Sequence, residues 1–218
     1  MTFIKDRINA LRSHLESGLA QSTVVLVTSA EKNDGKSLVA FGLAESFANA
    51  GYRSIVLDAN PWRAQLKHGK AVGNVAADHI DVRGHTVQNV HQGYSELILA
   101  DQKDANLLSF PQVKAVVEQC RRDYDYVIVD CGEFGGSSLP GLLARCADRV
   151  LVSLREGRRP TARDEQLVRI IEEGGAPVLG VVVVPKSAMK AFTARTVVDT
   201  SLNGQVGHLG VMTPGPVT

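Results

Sequence analysis

Continuously apolar stretches alternate with amphipathic stretches along most of the chain. A short run of apolar and β-branched residues predicts a strand covered on both faces, because such a strand shows no polar alternation. Apolar residues three and four positions apart predict a helix with one buried face. The predicted strands are 23–27, 54–58, 95–99, 126–130, 149–154 and 177–184, and the predicted helices are 3–19, 37–50, 109–122, 139–146 and 161–173.

This order of strands and helices predicts the α/β class. We expect a mostly parallel, twisted sheet with helices on both faces, which places ligands at the carboxyl ends of the strands. A chain of 218 residues can bury one sizeable core, so we expect a single domain over 1–202. The glycines and prolines of 203–218 predict a flexible tail.

Residues 1–20 and residues 61–91 differ in their pattern of apolar and polar positions. Residues 1–20 predict an amphipathic helix that packs against the sheet or a neighbouring subunit. Residues 61–91 are rich in glycine and charge, which predicts loops with short strands at 72–77 and 86–90. Three histidines in this region are six positions apart, a spacing that suits solvated loop positions better than metal ligands. They are His79, His85 and His91.

Composition excludes several classes of function. The formal net charge of +1 gives no electrostatic footprint for nucleic acid or for an anionic membrane. Cys120, Cys131 and Cys146 lack metal-ligand spacing and are typical of a reducing cytosol. No apolar run approaches the roughly 18 residues of a membrane span. We therefore expect a cytoplasmic protein that reaches the inner face of the cell membrane only through a partner.

The segment between the first strand and the second helix has the composition of a phosphate-binding loop. Gly35-Lys36-Ser37 stands at the loop-to-helix junction, where backbone N–H groups favour an anion, although Ala30 replaces the first glycine of the usual pattern. Lys36 would reach the β- and γ-phosphates, and the Ser37 hydroxyl would bind Mg²⁺. The alternative is a glycine turn with a solvated lysine and a helix-capping serine. The expected nucleotide-binding residues are Ala30, Glu31, Lys32, Asn33, Asp34, Gly35, Lys36, Ser37 and Leu38.

Two apolar strands end in an aspartate. Asp58 closes the strand 54–58, and Asp130 closes the strand 126–130. Because the carboxyl ends of parallel strands meet at one edge of a sheet, both carboxylates are expected beside the phosphate loop. Asp58 and Asp130 are expected to bind Mg²⁺ with Ser37, and to form the catalytic set with Lys36.

Together these segments resemble the ParA/MinD-type P-loop ATPases and, within them, the cytoplasmic domain of the bacterial tyrosine kinases (BY-kinases). The likeness covers most of 6–184 and is strongest around 28–58 and 124–130. It implies a P-loop NTPase fold, ATP or ADP with Mg²⁺ as cofactors, and a role in exopolysaccharide or capsule biosynthesis or its regulation. It also implies a partner in trans, either a membrane-anchored polysaccharide co-polymerase or an activator protein.

Three family motifs are altered in this chain. Lys32 and Asn33 replace a proline and a glycine of the phosphate loop, so the chain must turn at Asn33, and asparagine tolerates a positive φ better than most residues. Lys32 is one position away from the signature lysine of ParA-like dimers, and we expect it to be solvated. In the motif D-x-D-x-R, Asn60 replaces the second acid and cannot act as a carboxylate base. In the motif D-x-x-P, Glu133 replaces the proline.

Two further family features concern assembly and phosphorylation. The motif E-x-x-R-x-x-R, which supports ring assembly in the family, corresponds here to Asp6, Asn9 and Arg12, so a homo-oligomer is left open. The family's kinases end in a tyrosine-rich tail, whereas the C-terminal part of this sequence contains no tyrosine. The four tyrosines are Tyr52, Tyr94, Tyr124 and Tyr126.

Three functions are compatible with this sequence. The first is an Mg-ATP-binding protein of the BY-kinase type that serves polysaccharide synthesis. The second is a ParA/MinD-like regulatory ATPase that phosphorylates no protein, and the third is a nucleotide-binding scaffold without turnover. The altered motifs argue against tyrosine autokinase activity, whereas the retained lysine and strand-terminal aspartates argue for contact with a nucleotide.

Overall fold

The computed structural model of the chain describes residues 2–18, 22–59, 86–88, 93–98, 109–133 and 139–190. The predicted strand 72–77, His79, His85, His91 and the tail 203–218 lie outside these residues. The helices are α1 (Thr2–Gly18), α2 (Lys36–Asn49), α3 (Phe110–Asp123), α4 (Leu139–Ala144) and α5 (Ala162–Glu173). The strands are β1 (Thr23–Ser29), β2 (Ser54–Ala59), β3 (Thr86–Gln88), β4 (Ser95–Ile98), β5 (Tyr126–Glu133), β6 (Arg149–Arg155) and β7 (Val178–Val184).

The strands form one sheet in the order β3-β4-β2-β5-β1-β6-β7. Across the described strands, β3 and β4 pair antiparallel, and all other neighbours pair parallel. The central strands β1 and β2 are buried along their whole length and β5 along its first six residues, and their middle residues are continuously apolar, as expected of strands between two layers of helices. The predicted α/β class with a mostly parallel sheet is confirmed.

Two apolar clusters cover opposite faces of the sheet. One cluster joins α1 and α2 to Val25 and Ile128, and the other joins α3, α4 and α5 to Val24 and Val129. Neighbouring residues of one strand thus contribute to different clusters, because side chains alternate across a strand. Helices therefore cover both faces of the central sheet, as the sequence predicts.

Helix α1 packs chiefly against α2, whereas the sequence left a choice between the sheet and a neighbouring subunit. The side chain of Ile8 lies so close to Gly42 that an added Cβ would be 3.4 Å from Ile8 Cγ1. Two polar side chains of α1 form hydrogen bonds with Ser46 of α2. Ser46 Oγ donates to Asn9 Oδ1 over 2.6 Å and accepts from Arg12 Nε over 3.2 Å. Asn9 and Arg12 occupy two positions of the family's assembly motif, and in this chain they hold α1 on α2.

The predicted covering of the sheet on both faces does not extend to β7, where burial alternates along the strand. Within the described residues β7 is the edge strand, and Leu179, Val181 and Val183 have 36%, 57% and 50% of their surface exposed. An apolar groove of about 400 Å³ lies between α5 and the sheet and is lined in part by Val152, Val168 and Val181. A continuous apolar run therefore does not distinguish a buried strand from this edge strand.

The three cysteines are unpaired thiols in the described part of the chain. Burial raises the pKa of Cys120 to about 12 and also raises the pKa of Cys131 and of the half-buried Cys146. The protonated thiol is therefore the favoured form of all three at neutral pH. In the same part of the chain, every helix is too short or too polar to cross a membrane.

Candidate functional site

The loop from Ala30 to Gly35 connects β1 to α2 at the carboxyl end of the sheet. Two of its residues have positive φ, namely Asn33 with φ of 58° and Gly35 with φ of 86°. Asn33 therefore adopts the left-handed conformation that the sequence predicts for this position. The carboxamide can bond to nearby backbone, which makes asparagine one of the few L residues that visit this region.

Asn33 offers a small test of this turn. Replacing Asn33 with alanine is expected to lower the free energy of unfolding by about 1 kcal/mol, because a residue with a Cβ and no carboxamide is strained at this φ. Replacing it with glycine is expected to change that free energy by less than about 0.5 kcal/mol, since relief of strain offsets the added freedom of the unfolded chain. Urea unfolding of both variants measures the difference, and equal losses would contradict the assignment.

Gly35 is required by its surroundings as well as by its backbone conformation. A Cβ added at Gly35 would be 2.6 Å from Cγ1 of Val184, the last residue of β7. Val184 is 2% exposed and belongs to the apolar cluster on the α2 face. The loop and the end of the edge strand are thus in direct contact, and only glycine leaves room for it.

Helix α2 begins differently from α3 and α5. The N-terminus of α3 has a capping box, in which Gln112 Oε1 accepts from the backbone N–H of Ser109 over 2.9 Å. The N-terminus of α5 has another, in which Asp164 Oδ2 accepts from the backbone N–H of Thr161 over 2.8 Å. The N-cap of α2 is Gly35, which has no side chain to bond the first-turn N–H groups. These N–H groups and the helix dipole favour an anion at this position.

The two strand-terminal aspartates lie side by side. Asp58 on β2 is the direct register partner of Asp130 on β5, and their side chains are 1% and 0% exposed. Val56 and Ile128, two residues earlier, belong to the cluster on the α2 face, so both carboxylates lie on that face as well. Neighbouring strands are about 4.8 Å apart, so the two carboxyl groups lie close together in the interior. Such a pair favours a cation between or beside the carboxylates.

Lys36, in the first turn of α2, is buried with 6% of its surface exposed. Its Nζ is 3.9 Å from Oε2 of Glu133, the last residue of β5. Oε1 of Glu133 is 3.5 Å from Nζ of Lys32, whose side chain is 58% exposed. Lys32 is thus largely solvated, as the sequence predicts, and it also pairs with Glu133. Strand β5 continues three residues beyond its predicted end at Asp130, and this extension brings Glu133 into the site.

Asp34 ties the loop to a distant segment. Its carboxylate is fully buried and forms an ion pair with Arg158, with Oδ2 2.7 Å from Nη2. Arg158 also forms two hydrogen bonds to Asp164 at the start of α5, over 2.6 and 2.8 Å. These bonds, with Asp164 contributing most, raise the pKa of Arg158, and the guanidinium lowers the pKa of Asp164 to about 2. Arg158 and Asp164 are therefore both charged at neutral pH.

The structure brings the predicted site residues together at one end of the sheet. The segment 30–38 comprises the loop after β1 and the start of α2, with the half-buried Ser37 in the first turn of α2. Asp58 and Asp130 are register partners in the carboxyl-terminal halves of the adjacent strands β2 and β5. Asn60 of the altered second motif lies outside the described residues. Sequence reasoning missed the role of Arg158. The only signal was the capping-box spacing of Thr161 and Asp164, which marks the helix start that Arg158 binds.

Comparisons with known proteins agree with this fold. No protein-family model matches the chain. It is 23% identical over 197 residues to the tyrosine-protein kinase CpsD of Streptococcus agalactiae, over 82% of this chain and 81% of CpsD. The kinase domain of the Escherichia coli tyrosine kinase ETK superposes with a TM-score of 0.68 at 18% identity, over 84% of this chain and 76% of that domain.

A second group of solved structures has the same fold. The septum site-determining protein MinD of Pyrococcus horikoshii OT3, in complex with Mg-ADP, superposes with a TM-score of 0.61 at 13% identity, over 78% of this chain and 76% of MinD. The chain is thus a distant sequence relative of CpsD, and its fold is the P-loop fold that bacterial tyrosine kinase domains share with MinD.

Proposed function

We propose that this chain binds Mg-ATP and Mg-ADP at the carboxyl end of its sheet. The observation that carries the proposal is the register match of Asp58 and Asp130 on the face where α2 begins with Lys36. The ammonium group and the open helix N-terminus suit the triphosphate, and the two buried carboxylates suit the magnesium ion. MinD, which shares the fold, was crystallised with Mg-ADP, and this supports the same ligand class here.

The residues present fit both the nucleotide and the metal. The N–H groups of the loop 30–38 would hold the phosphates, and Lys36 would neutralise the β- and γ-phosphates. Mg²⁺ prefers oxygen ligands, and Ser37, Asp58 and Asp130 would hold it directly or through water. Bound there, the metal neutralises charge on the phosphates during transfer. Asp58 would lie near the attacking water, and turnover would depend on positioning and charge neutralisation by Lys36 and the two aspartates.

The biological role that we propose follows the resemblance to BY-kinases. The likeness to CpsD over most of both chains supports a role in exopolysaccharide or capsule biosynthesis or its regulation. The chain would act in the cytoplasm, at the inner face of the cell membrane, through a membrane-anchored co-polymerase or activator protein in trans. Residues 1–202 would form one ATPase domain followed by the tail 203–218.

A second function is favoured by the surroundings of the tyrosines. Tyr94 and Tyr126 are buried with 2% and 3% of their surface exposed, and Tyr126 stacks on Phe47 with ring centroids 3.7 Å apart. Tyr52 packs edge-on against the same Tyr126 ring, at 5.1 Å. These side chains serve packing and are poor targets for autophosphorylation. The arrangement favours a regulatory ATPase of the ParA/MinD type over a tyrosine autokinase.

Replacing Lys36 with methionine tests the proposed site. The variant is expected to bind Mg-ATP and Mg-ADP about 10- to 100-fold more weakly, because the phosphates lose a charged hydrogen-bond donor. Isothermal titration calorimetry measures the change. Lys5→Met is the control, since Lys5 is an exposed lysine of α1 that pairs with Glu45. No heat from the unaltered chain with either nucleotide and magnesium would refute the proposal.

The same pair of variants separates the candidate functions when labelled ATP is supplied. Phosphate release without phosphotyrosine, lost in Lys36→Met and kept in Lys5→Met, supports the regulatory ATPase. Phosphotyrosine on the chain supports the kinase. Binding without either product is the result expected of the scaffold.

A further inference from the structure

Glu133 places a negative charge inside the proposed phosphate site. It is the last residue of β5 and pairs in register with Ser29, the last residue of β1, directly before the loop. Its carboxylate is 18% exposed and lies between two ammonium groups, 3.5 Å from Lys32 Nζ and 3.9 Å from Lys36 Nζ. In the ligand-free chain, Glu133 therefore supplies a counter-charge for the lysine that is proposed to bind the phosphates.

The two ion pairs of Glu133 differ in burial. The Lys36 side chain is 7% exposed, whereas that of Lys32 is 58% exposed. Water screens the pair with Lys32, but it screens the pair with Lys36 much less. An anionic ligand that pairs with Lys36 replaces Glu133 as its partner. The carboxylate of Glu133, which has low exposure, then lies beside the negative charge of the ligand. The energetic penalty grows with the charge that the ligand brings close to Glu133.

The γ-phosphate is the part of a nucleotide most affected by this penalty. In a phosphate loop, the backbone N–H groups hold the α- and β-phosphates, and the lysine reaches the β- and γ-phosphates. A third phosphate thus extends toward the group that faces the lysine ammonium, and in this chain that group is Glu133. A diphosphate brings less charge to this place.

We propose that Glu133 is a specificity-determining residue, which competes with the terminal phosphate for Lys36 and shifts the site toward diphosphate over triphosphate. The proposal rests on the proposed nucleotide site and adds to it a preference between ligand classes. No bond is made or broken, and the ion pair between Lys36 and Glu133 is replaced by one between Lys36 and phosphate. The unaltered chain thus binds the triphosphate more weakly than its loop and aspartates alone would allow.

Glu133→Gln tests this preference. The variant is expected to bind Mg-ATP about tenfold more tightly and Mg-ADP less than about threefold more tightly, since a neutral amide of the same shape removes the repulsion. Inorganic tripolyphosphate and pyrophosphate, titrated with magnesium, are expected to show the same difference without any nucleoside. Glu45→Gln is the matched control, because Glu45 lies on α2 and pairs with Lys5 of α1.

The outcomes separate this proposal from the one on which it rests. If the unaltered chain binds ATP and Glu133→Gln binds it equally or more weakly, the role of Glu133 is refuted and the nucleotide site stands. A loss of turnover at unchanged affinity also refutes it, and assigns Glu133 to the reaction. If only Glu133→Gln binds triphosphates, the competition is supported in its strongest form. If neither chain binds any polyphosphate, both proposals fail.

Discussion

Arg158→Ala is expected to lower the free energy of unfolding by about 3 to 5 kcal/mol, because it leaves a buried carboxylate without its counter-charge. Asp34 is fully buried, and the guanidinium of Arg158 pairs with it over 2.7 Å. The same guanidinium holds Asp164 at the start of α5. Chemical denaturation, followed by circular dichroism, measures the loss. A change below about 1 kcal/mol would show that the pair does not stabilise the loop.

The chain offers a matched control for Arg158. Arg53 also forms a two-point ion pair, with Asp125, over 2.7 and 3.3 Å. The Arg53 side chain is 64% exposed, whereas that of Arg158 is 12% exposed. Exposed pairs contribute little because water screens them, so Arg53→Ala is expected to be far less harmful than Arg158→Ala. Because both ion pairs have two-point geometry, the difference in lost stability between the two variants reports the effect of burial.

A double variant distinguishes a lost counter-charge from lost packing. Arg158→Met combined with Asp34→Asn removes both charges while it keeps most of the side-chain volume. This double variant leaves one carboxylate, Asp164, without its counter-charge, whereas Arg158→Met alone leaves two, so the double variant is expected to be more stable than Arg158→Met. Equal losses in the two proteins would assign the effect of Arg158 to packing.

Gly35→Ala is expected to lower the free energy of unfolding by about 2 to 5 kcal/mol and to weaken nucleotide binding. About 1 to 2 kcal/mol comes from the positive φ of Gly35, which an L residue tolerates poorly. The rest comes from overpacking against Val184, since the new Cβ would be 2.6 Å from Cγ1 of that side chain. Thermal and urea unfolding measure the first effect, and calorimetric titration with Mg-ADP measures the second.

Gly51 supplies the control for the backbone contribution. Its φ is 91°, close to the 86° of Gly35, and a Cβ added at Gly51 would meet no described atom within 4 Å. Gly51→Ala is therefore expected to show the backbone cost alone, and the difference between the two variants isolates the contact with Val184. Adding Val184→Ala to Gly35→Ala is expected to recover part of the lost stability. No recovery would place the strain elsewhere in the loop.

Local patterns were enough to predict the class of the sheet and to place the loop, Asp58 and Asp130 at one end of it. Continuous apolar runs predicted the central strands. Asp58 and Asp130 each end such a run, and the carboxyl ends of parallel strands lie at the same edge of a sheet. Asn33 was also predictable, since its conformation depends on one residue type in one motif. These features depend on neighbours in sequence, or on pairing rules that hold for every parallel sheet.

Other features depend on contacts between distant segments. The ion pair of Asp34 and Arg158 joins residues 124 positions apart, and no local pattern connects them. The extension of β5 to Glu133 runs through Gly132, a residue type that argues against a strand, and pairing with β1 overrides that preference. The open face of β7 was missed for a related reason, since its apolar run matches that of a central strand.

The shared guanidinium of Arg158 has a consequence for how an anion would meet the loop. Asp34 and Asp164, from segments far apart in sequence, depend on one cation, so neither segment can move away without stranding a charge. The loop is thus preorganised before any ligand arrives. Little conformational entropy then has to be lost on association, and more of the interaction energy is available as affinity.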